Sequence, residues 1–385
     1  MSPRASTVVL LCGLLCAAGG GFDGQGIHAE SSLAAKSAWK QVGPGLGGVM
    51  APVAADPIGR GTIYIATMAG GIRRSLDNGK TWATVNNGIA SLATSALAVD
   101  AAGPQSVYVG TVGGGAYKSD DGGESWHPLT GGIQGLIVHP LVADPVHPGV
   151  VYAGTLGGSM RKTVDGGNTW PVVFTGTRGI FGIAIDPNHS DVVYFGTVGA
   201  GAFKSSNAGS SWTAISTLTP RVIWTVAVDP ADSQVVYAGS NEDGVWKSSN
   251  AGVSWSPVTG AYQLPAIYAL TVIPVEGGPS IVFAGTAGAG VWKSVDGGAT
   301  WEATGLSKRM CLSLSTDSSS VLYAGTEEEA HVSRDLGKTW RNIDRRLGGA
   351  DAFGYAVVVD PAGWAWDRSP WAEPRRSPSI RRTPG

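Results

Sequence analysis

Apolar and polar positions in this chain alternate in short runs broken by glycine, aspartate, asparagine and proline, and the order of the runs recurs. One run ends in Asp-Pro or a close variant, as in ALAVD up to Asp100, LVADP up to Pro145, IAIDP up to Pro187 and VAVDP up to Pro230. After a short turn comes VYVGT, VYAGT, VYFGT, VYAGS, VFAGT or LYAGT. A glycine-rich link (VGGG, LGGS, VGAG, AGAG) leads to a third run such as AYKS, AFKS or VWKS. After another turn a fourth run leaves from a tryptophan, as in WATVNNGI from Trp82 to Ile89. Short β-branched runs bounded by turn residues predict strands. Four antiparallel strands per unit, repeated radially, predict a β-propeller.

The turn before the fourth run is the most regular feature. It reads SLDNGKTW from Ser75, SDDGGESW from Ser119, TVDGGNTW from Thr163, SSNAGSSW from Ser205, SSNAGVSW from Ser248, SVDGGATW from Ser294 and SRDLGKTW from Ser333. The starts lie 39 to 46 residues apart, a period that marks an array of structural repeats. The acid position holds Asp77, Asp121, Asp165, Asn207, Asn250, Asp296 and Asp335. Each is followed five residues later by a tryptophan: Trp82, Trp126, Trp170, Trp212, Trp255, Trp301 or Trp340. A side-chain oxygen there accepts from backbone N–H groups of its own turn, a glycine two residues on supplies positive φ, and the indole buries a large flat surface. Asparagine caps a turn as well as aspartate but is no carboxylate base. The seven copies are therefore read as structure, not chemistry.

The expected fold is all-β: a single propeller of seven four-stranded blades, or alternatively an eight-bladed ring with an incomplete last blade. WKQVGPGL from Trp39 matches a fourth strand with no unit before it, and YAVVVDP from Tyr355 opens a further first strand. The expected domains are a signal peptide and leader over 1–29, the propeller over 30–363, and a disordered or out-of-frame tail over 364–385, where proline and arginine replace strand patterning. The leader reading rests on one early arginine, an apolar run from Val8 to Ala18 and small residues after it, too short for the ~20 apolar residues of a membrane span. It implies a secreted or periplasmic protein with no integral span in the mature chain. Cys12 and Cys16 leave with that leader, and Cys311, in the apolar pattern MCLSL, reads as a buried inert thiol.

Composition adds limits. Charged residues make up 15% of the chain and the formal charge is −2, without the clustered cations that neutralise phosphates, so no nucleic-acid partner is expected. No His/Cys/Asp cluster has metal-ligand spacing, and neither a metal nor another cofactor is expected.

The repeated turn resembles the Asp box, or BNR repeat, of sialidase-like propellers. The whole unit, VDP…VYAGT…GGVWKSxDGGxTW, is similar to glycoside hydrolase family 74 enzymes and to photosystem II assembly-factor propellers, over about residues 39–361. Such a blade places the second-to-third-strand links and the blade-to-blade links on one face and the Asp boxes on the other. A ligand is expected on the first face. Five residues before the first-strand acid or its equivalent stand Ala51, Ser95, His139, Phe181, Trp224, Tyr268, Met310 and Tyr355. Phe181, Trp224, Tyr268 and Tyr355 are the ligand-binding candidates; packing between blades is the competing role for the same rings. The weak catalytic candidates are Glu242 and Asp243 in unit five and Glu327, Glu328 and Glu329 in unit seven, since a glycosidase needs two carboxyl groups. Many family 74 enzymes carry aspartate after the link threonine, where this chain has Met68, and they commonly use two propellers. The Phe/Tyr-Arg-Ile-Pro motif of sialidases is absent. The cations before each box serine, Arg74, Lys118, Lys162, Lys204, Lys247 and Lys293, read as a solvated rim.

The leading expectation is a non-catalytic, monomeric propeller that binds a protein or a glycan opposite the Asp boxes. The alternative is a family 74-like polysaccharide hydrolase, with a sialidase behind it.

Overall fold

The computed structural model describes residues 50–343 apart from 56–61, 68, 69, 101, 102, 259–263, 318, 319 and 328. These residues form seven four-stranded antiparallel sheets, each contiguous in sequence and ordered as the chain runs. Blade 4 is representative: Ile180–Ile185, Val193–Thr197, Ala202–Ser205 and Thr213–Ala214. Its second strand, VYFGT, is buried on both faces because a blade lies against each side, which explains why this run lacks alternation in every unit. The outermost strands are two or three residues long and carry exposed positions.

Ring closure occurs at seven. Ile63 and Ile65 of blade 1 (residues 50–84) share an apolar cluster with Val321, Tyr323, Val332 and Ile343 of blade 7, with Trp82 packed against it. The Trp82 indole N–H donates to the Ile343 carbonyl at 2.9 Å. The eight-bladed alternative is thereby corrected: blade 7 buries its face directly on blade 1, leaving no gap for another unit. The leader, the segment from Trp39, Tyr355 and the tail all lie outside the described residues.

The seven boxes share one hydrogen-bond pattern. In Ser294–Trp301 the Ser294 hydroxyl donates to Asp296 (2.8 Å) and accepts from Gly298 N–H (2.7 Å), while Asp296 accepts from the Thr300 N–H (2.8 Å) and hydroxyl (2.5 Å). Asn207 keeps the geometry with one bond reversed: its Oδ1 accepts from Ser211 N–H at 2.9 Å, and its Nδ2 donates to the Ser211 hydroxyl at 2.8 Å. Hydroxyl and backbone donors hold the Asp121, Asp165, Asp296 and Asp335 carboxyls down at about 2.

The cation stripe is a correction. Lys118, Lys162, Lys204 and Lys247 place their ammonium groups 5.1 to 5.5 Å from the ring centroids of Tyr108, Tyr152, Tyr194 and Tyr237. Lys162, Lys204 and Lys247 also donate to carbonyls in the next blade's box, Ala208, Ala251 and Gly297, at 2.9, 2.7 and 2.8 Å. Tyr194 and Tyr237 hydroxyls donate to those same Ala251 and Gly297 carbonyls. Burial pushes these phenols above their usual range and lowers the Lys162 and Lys204 ammonium groups. Arg74, Lys162, Lys204 and Lys247 are thus latches between blades, while Lys118 and Lys293 pair with Asp120 and Glu302 of their own blades, so the stripe is not a solvated rim.

On the same side, acids at first-strand ends reach across blade boundaries. Asp186 accepts from the Ser233 hydroxyl at 2.9 Å and Asp229 from the Ser280 hydroxyl at 2.8 Å. Burial raises the Asp229 carboxyl despite its local donors.

Candidate functional site

Strand order puts the opposite face of the ring together from the second-to-third-strand links and the blade-to-blade links. Innermost strands begin at this face, and pairing with the second strand slips at their second residue. The slip falls between Thr94 and Ala96, Ile180 and Gly182, Ile223 and Thr225, Ile267 and Ala269, and Cys311 and Ser313. A bulge of this kind re-aims the extra side chain. The bulged residues are Ser95, Phe181, Trp224, Tyr268 and Leu312.

Leu312, buried in the ring, replaces Met310 in this alignment. The residue after each link threonine or serine donates its N–H to the residue two before the bulge: Val112 to Ala93, Val198 to Gly179, Asn241 to Val222, Ala287 to Ala266 and Glu327 to Met310. Met310 therefore stands two positions early. First-strand register is marked elsewhere by Asp-Pro, and the strand Cys311–Thr316 is followed by Asp317-Ser318.

Three of the candidate rings join His139 in one ladder across blades 3 to 6. His139 meets Phe181 with centroids 5.2 Å apart, Phe181 meets Trp224 at 4.8 Å, and Trp224 meets Tyr268 at 5.7 Å. The planes cross at 81°, 90° and 75°, the edge-to-face arrangement that aromatic quadrupoles favour. The two roles weighed for these rings divide along the ladder. His139 and Phe181 are buried between blades, at 4% and 7% exposure, whereas Trp224 and Tyr268 remain partly exposed. Burial lowers the His139 imidazole to about 4, so it is neutral at physiological pH. The Trp224 indole N–H donates to Asn241 Oδ1 at 3.1 Å, which fixes the ring's orientation. Ser95 turns inward instead, its hydroxyl donating to the Val138 carbonyl at 2.7 Å. Tyr355 lies outside the described residues.

Three of the acids on this face are engaged locally. Asp243 accepts from Arg221 Nε at 2.6 Å, and that guanidinium lies 4.4 Å from the Trp246 ring centroid. Glu327 accepts from the Met310 N–H at 2.7 Å. Glu329 lies 3.6 Å from Arg309 and 3.3 Å from His331 Nε2. Glu242 is exposed, and Glu328 is outside the described residues. The two acidic links belong to blades 5 and 7, with blade 6 between them. The Cys311 thiol is fully buried, and desolvation raises it far above reactive range. Among the described residues no His/Cys/Asp/Glu group has the geometry to hold a metal ion, and no helix is long and apolar enough to cross a membrane.

One feature of this face escapes a sequence search for aromatic and acidic residues. The residue three before each bulge is Arg178 in blade 4, Arg221 in blade 5 and Arg309 in blade 7. The carbonyls of Arg221 and Arg309 accept from Gly201 and Gly290 of the preceding blade, as Leu92 and Leu136 accept from Gly71 and Gly115. Arg178 and Arg221 share a register in the sequence repeat as well, and only alignment on the bulge brings Arg309 to the same place.

The BNR/Asp-box repeat family matches residues 117–128. Among curated proteins, none matches the sequence. Among solved structures, an ancestral GH74 enzyme is similar at TM-score 0.67 and 20% identity, over 80% of this chain and 48% of that one. YCF48 from Cyanidioschyzon merolae is similar at TM-score 0.59 and 16% identity, over 75% and 96%. A structure of YCF48 bound to D1 peptide is similar at 0.54 and 13%, over 73% and 90%. The chain spans about half the length of the GH74 enzyme. At these identities the likeness is one of fold, shared by an enzyme family and by a protein seen holding a peptide. The seven hydrogen-bonded boxes, the closed ring and the family match together identify the chain as a seven-bladed β-propeller of Asp-box repeats.

Proposed function

We infer that the protein is a non-catalytic binding propeller, monomeric and exported to a secreted or periplasmic location, which takes a glycan or a protein segment on the face opposite the Asp boxes. The observation that carries this reading is the aromatic ladder, whose Trp224 and Tyr268 end is partly exposed and held in place by the Trp224–Asn241 bond. Aromatic faces beside a few placed polar groups are the usual makeup of a ligand site. The export proposal rests on the N-terminal apolar segment.

Engagement of Asp243, Glu327 and Glu329 supports binding over hydrolysis. A glycosidase acid must be free to give up a proton while a second carboxylate attacks or activates water within roughly 5 to 9.5 Å. Here Asp243 is held by Arg221, Glu327 by a backbone N–H and Glu329 by Arg309 and His331, in links two blades apart. The rival reading, a family 74-like hydrolase acting through Glu242, Asp243 and the 327–329 link, draws on likeness of fold.

A glycan, polysaccharide and peptide array, scored for both retention and release of reducing ends, tests the two readings. Retention without release is expected. Release of reducing ends that is lost in Asp243→Asn or Glu327→Gln would establish the hydrolase instead.

A further inference from the structure

Three arginines share one place in the ring, and their surroundings differ. In blade 5, Arg221 is neutralised by Asp243 from its own second-to-third-strand link. In blade 7, Arg309 is paired in the same way with Glu329. In blade 4 the corresponding link is Val198-Gly-Ala-Gly201, which carries no acid, and Ala200 stands where blade 5 has Asp243. Arg178 is exposed and has no carboxylate partner among the described residues. Its position is beside the ladder: a Cβ added at its neighbour Gly179 would stand 3.2 Å from Cε2 of Phe181. Phe181 in turn meets Trp224 edge to face.

We propose that Arg178, with the partly exposed rings of Trp224 and Tyr268, forms a subsite for a carboxylate-bearing sugar, so that the glycan bound is an acidic, uronate-containing polysaccharide. The inference rests on the binding reading above and narrows its ligand. A guanidinium fork matches a carboxylate in charge and shape, and a pyranose presents apolar C–H faces to aromatic rings while its carboxylate projects from the ring edge.

An acidic peptide meets the same charge less well. Peptide capture by a propeller face needs main-chain partners, and extended segments usually find them at an open sheet edge. The link amides at this face are already used between links, Val198 to Gly179 and Asn241 to Val222. A ligand recognised by ring faces and one charge makes fewer demands on the backbone.

The experiment uses the full chain and isothermal titration with three probes: tetragalacturonate, the same tetrasaccharide with its carboxyls methyl-esterified, and a glutamate-rich peptide of similar charge. The free acid is expected to bind about tenfold or more tighter than the ester, the size of one charge-assisted contact. Arg178→Gln should erase that preference while keeping the affinity for the ester. Ala200→Asp, which supplies blade 4 with the acid that blade 5 already has, should erase it too by pairing with Arg178. Trp224→Ala should lower affinity for acid and ester alike. Equal binding of acid and ester by the native protein, or a preference that survives both Arg178→Gln and Ala200→Asp, overturns the uronate subsite and leaves the binding reading standing. Binding of the peptide with no binding of either saccharide overturns it in favour of a protein ligand. No binding of any probe, with reducing ends released from polysaccharides, overturns both.

Discussion

The Lys204 ammonium lies over the Tyr194 ring, 5.5 Å from its centroid, and both groups donate to the Ala251 carbonyl, at 2.7 and 2.9 Å. A cation, a phenol and a carbonyl of the following Asp box thus form one joint between blades 4 and 5. Lys247, Tyr237 and Gly297 repeat it between blades 5 and 6. Apolar burial between adjacent blades is indifferent to small sliding motions. The latch adds direction, because a donor must meet its acceptor within a few tenths of an ångström.

Lys204→Met should therefore destabilise the ring by about 1–3 kcal/mol, from the lost cation–π contact and charged hydrogen bond. Lys204→Arg should recover most of it, since Arg74 already holds this place in blade 1 and donates to Gly122. Urea denaturation of both variants is the measurement. A stability equal to that of the native protein in Lys204→Met would return the stripe to a solvated rim.

Box carboxyls make stability depend on pH in a defined direction. Those of Asp121, Asp165, Asp296 and Asp335 sit at about 2 in the fold, against an ordinary value of 3.8. A depressed carboxyl contributes stability that is fully present above its ordinary value and is lost as pH falls through the folded value. The ring is expected to lose stability between about pH 4 and pH 2, which thermal melts across that range will show. Asp296→Asn should reduce the slope and remain folded at pH 7, because Asn207 and Asn250 make equivalent turns. Asp296→Ala should melt lower at pH 7 as well.

Trp301 is 3% exposed, and its indole N–H donates to Val258 and Gly298 carbonyls at 3.1 and 3.0 Å. Trp301→Ala should cost about 3–5 kcal/mol. Ligand affinity of the folded fraction should stay unchanged, because the Asp boxes face away from the ladder. Loss of binding with an unaltered melting temperature would refute a purely structural box.

At the other face, Trp224→Ala combined with Tyr268→Ala should abolish ligand retention with a modest loss of stability, since both rings are only partly buried. Retention and melting are measured on the same preparation. Unfolding with residual affinity intact would show that the rings serve packing alone.

Gly182→Ala tests how closely the inner strands approach. A Cβ there would stand 2.7 Å from Thr225 Cα and 2.9 Å from the Trp224 carbonyl, both backbone atoms that cannot swing aside. The substitution should force blades 4 and 5 apart, and proteolysis or hydrogen exchange localised to Ile180–Ile185 and Ile223–Asp229 is the expected signature.

The sequence by itself determined the blades. Turn chemistry in an Asp box acts over two to four residues, from Ser294 to Asp296 and from Asp296 to Thr300, so each copy is complete within its own segment. Strand patterning is equally local: the VYAGT run is apolar throughout because every copy is covered on both sides. The side of the ring that each link occupies follows from counting antiparallel strands. What only the tertiary structure decided are relations between residues roughly one repeat apart, such as Lys204 with Ala251 or Ser233 with Asp186. A period common to all units makes every lysine look alike in sequence, and only the neighbouring blade shows that its amine is occupied. Closure at seven depended on the face of blade 7 meeting Ile63 and Ile65 of blade 1, which strand spacing leaves open. The division of the aromatics into buried Phe181 and partly exposed Trp224, and of the arginines into paired Arg221 and exposed Arg178, came from the same source. Local hydrogen bonding writes the repeat into the chain, while burial and charge pairing between blades are fixed only when the ring closes.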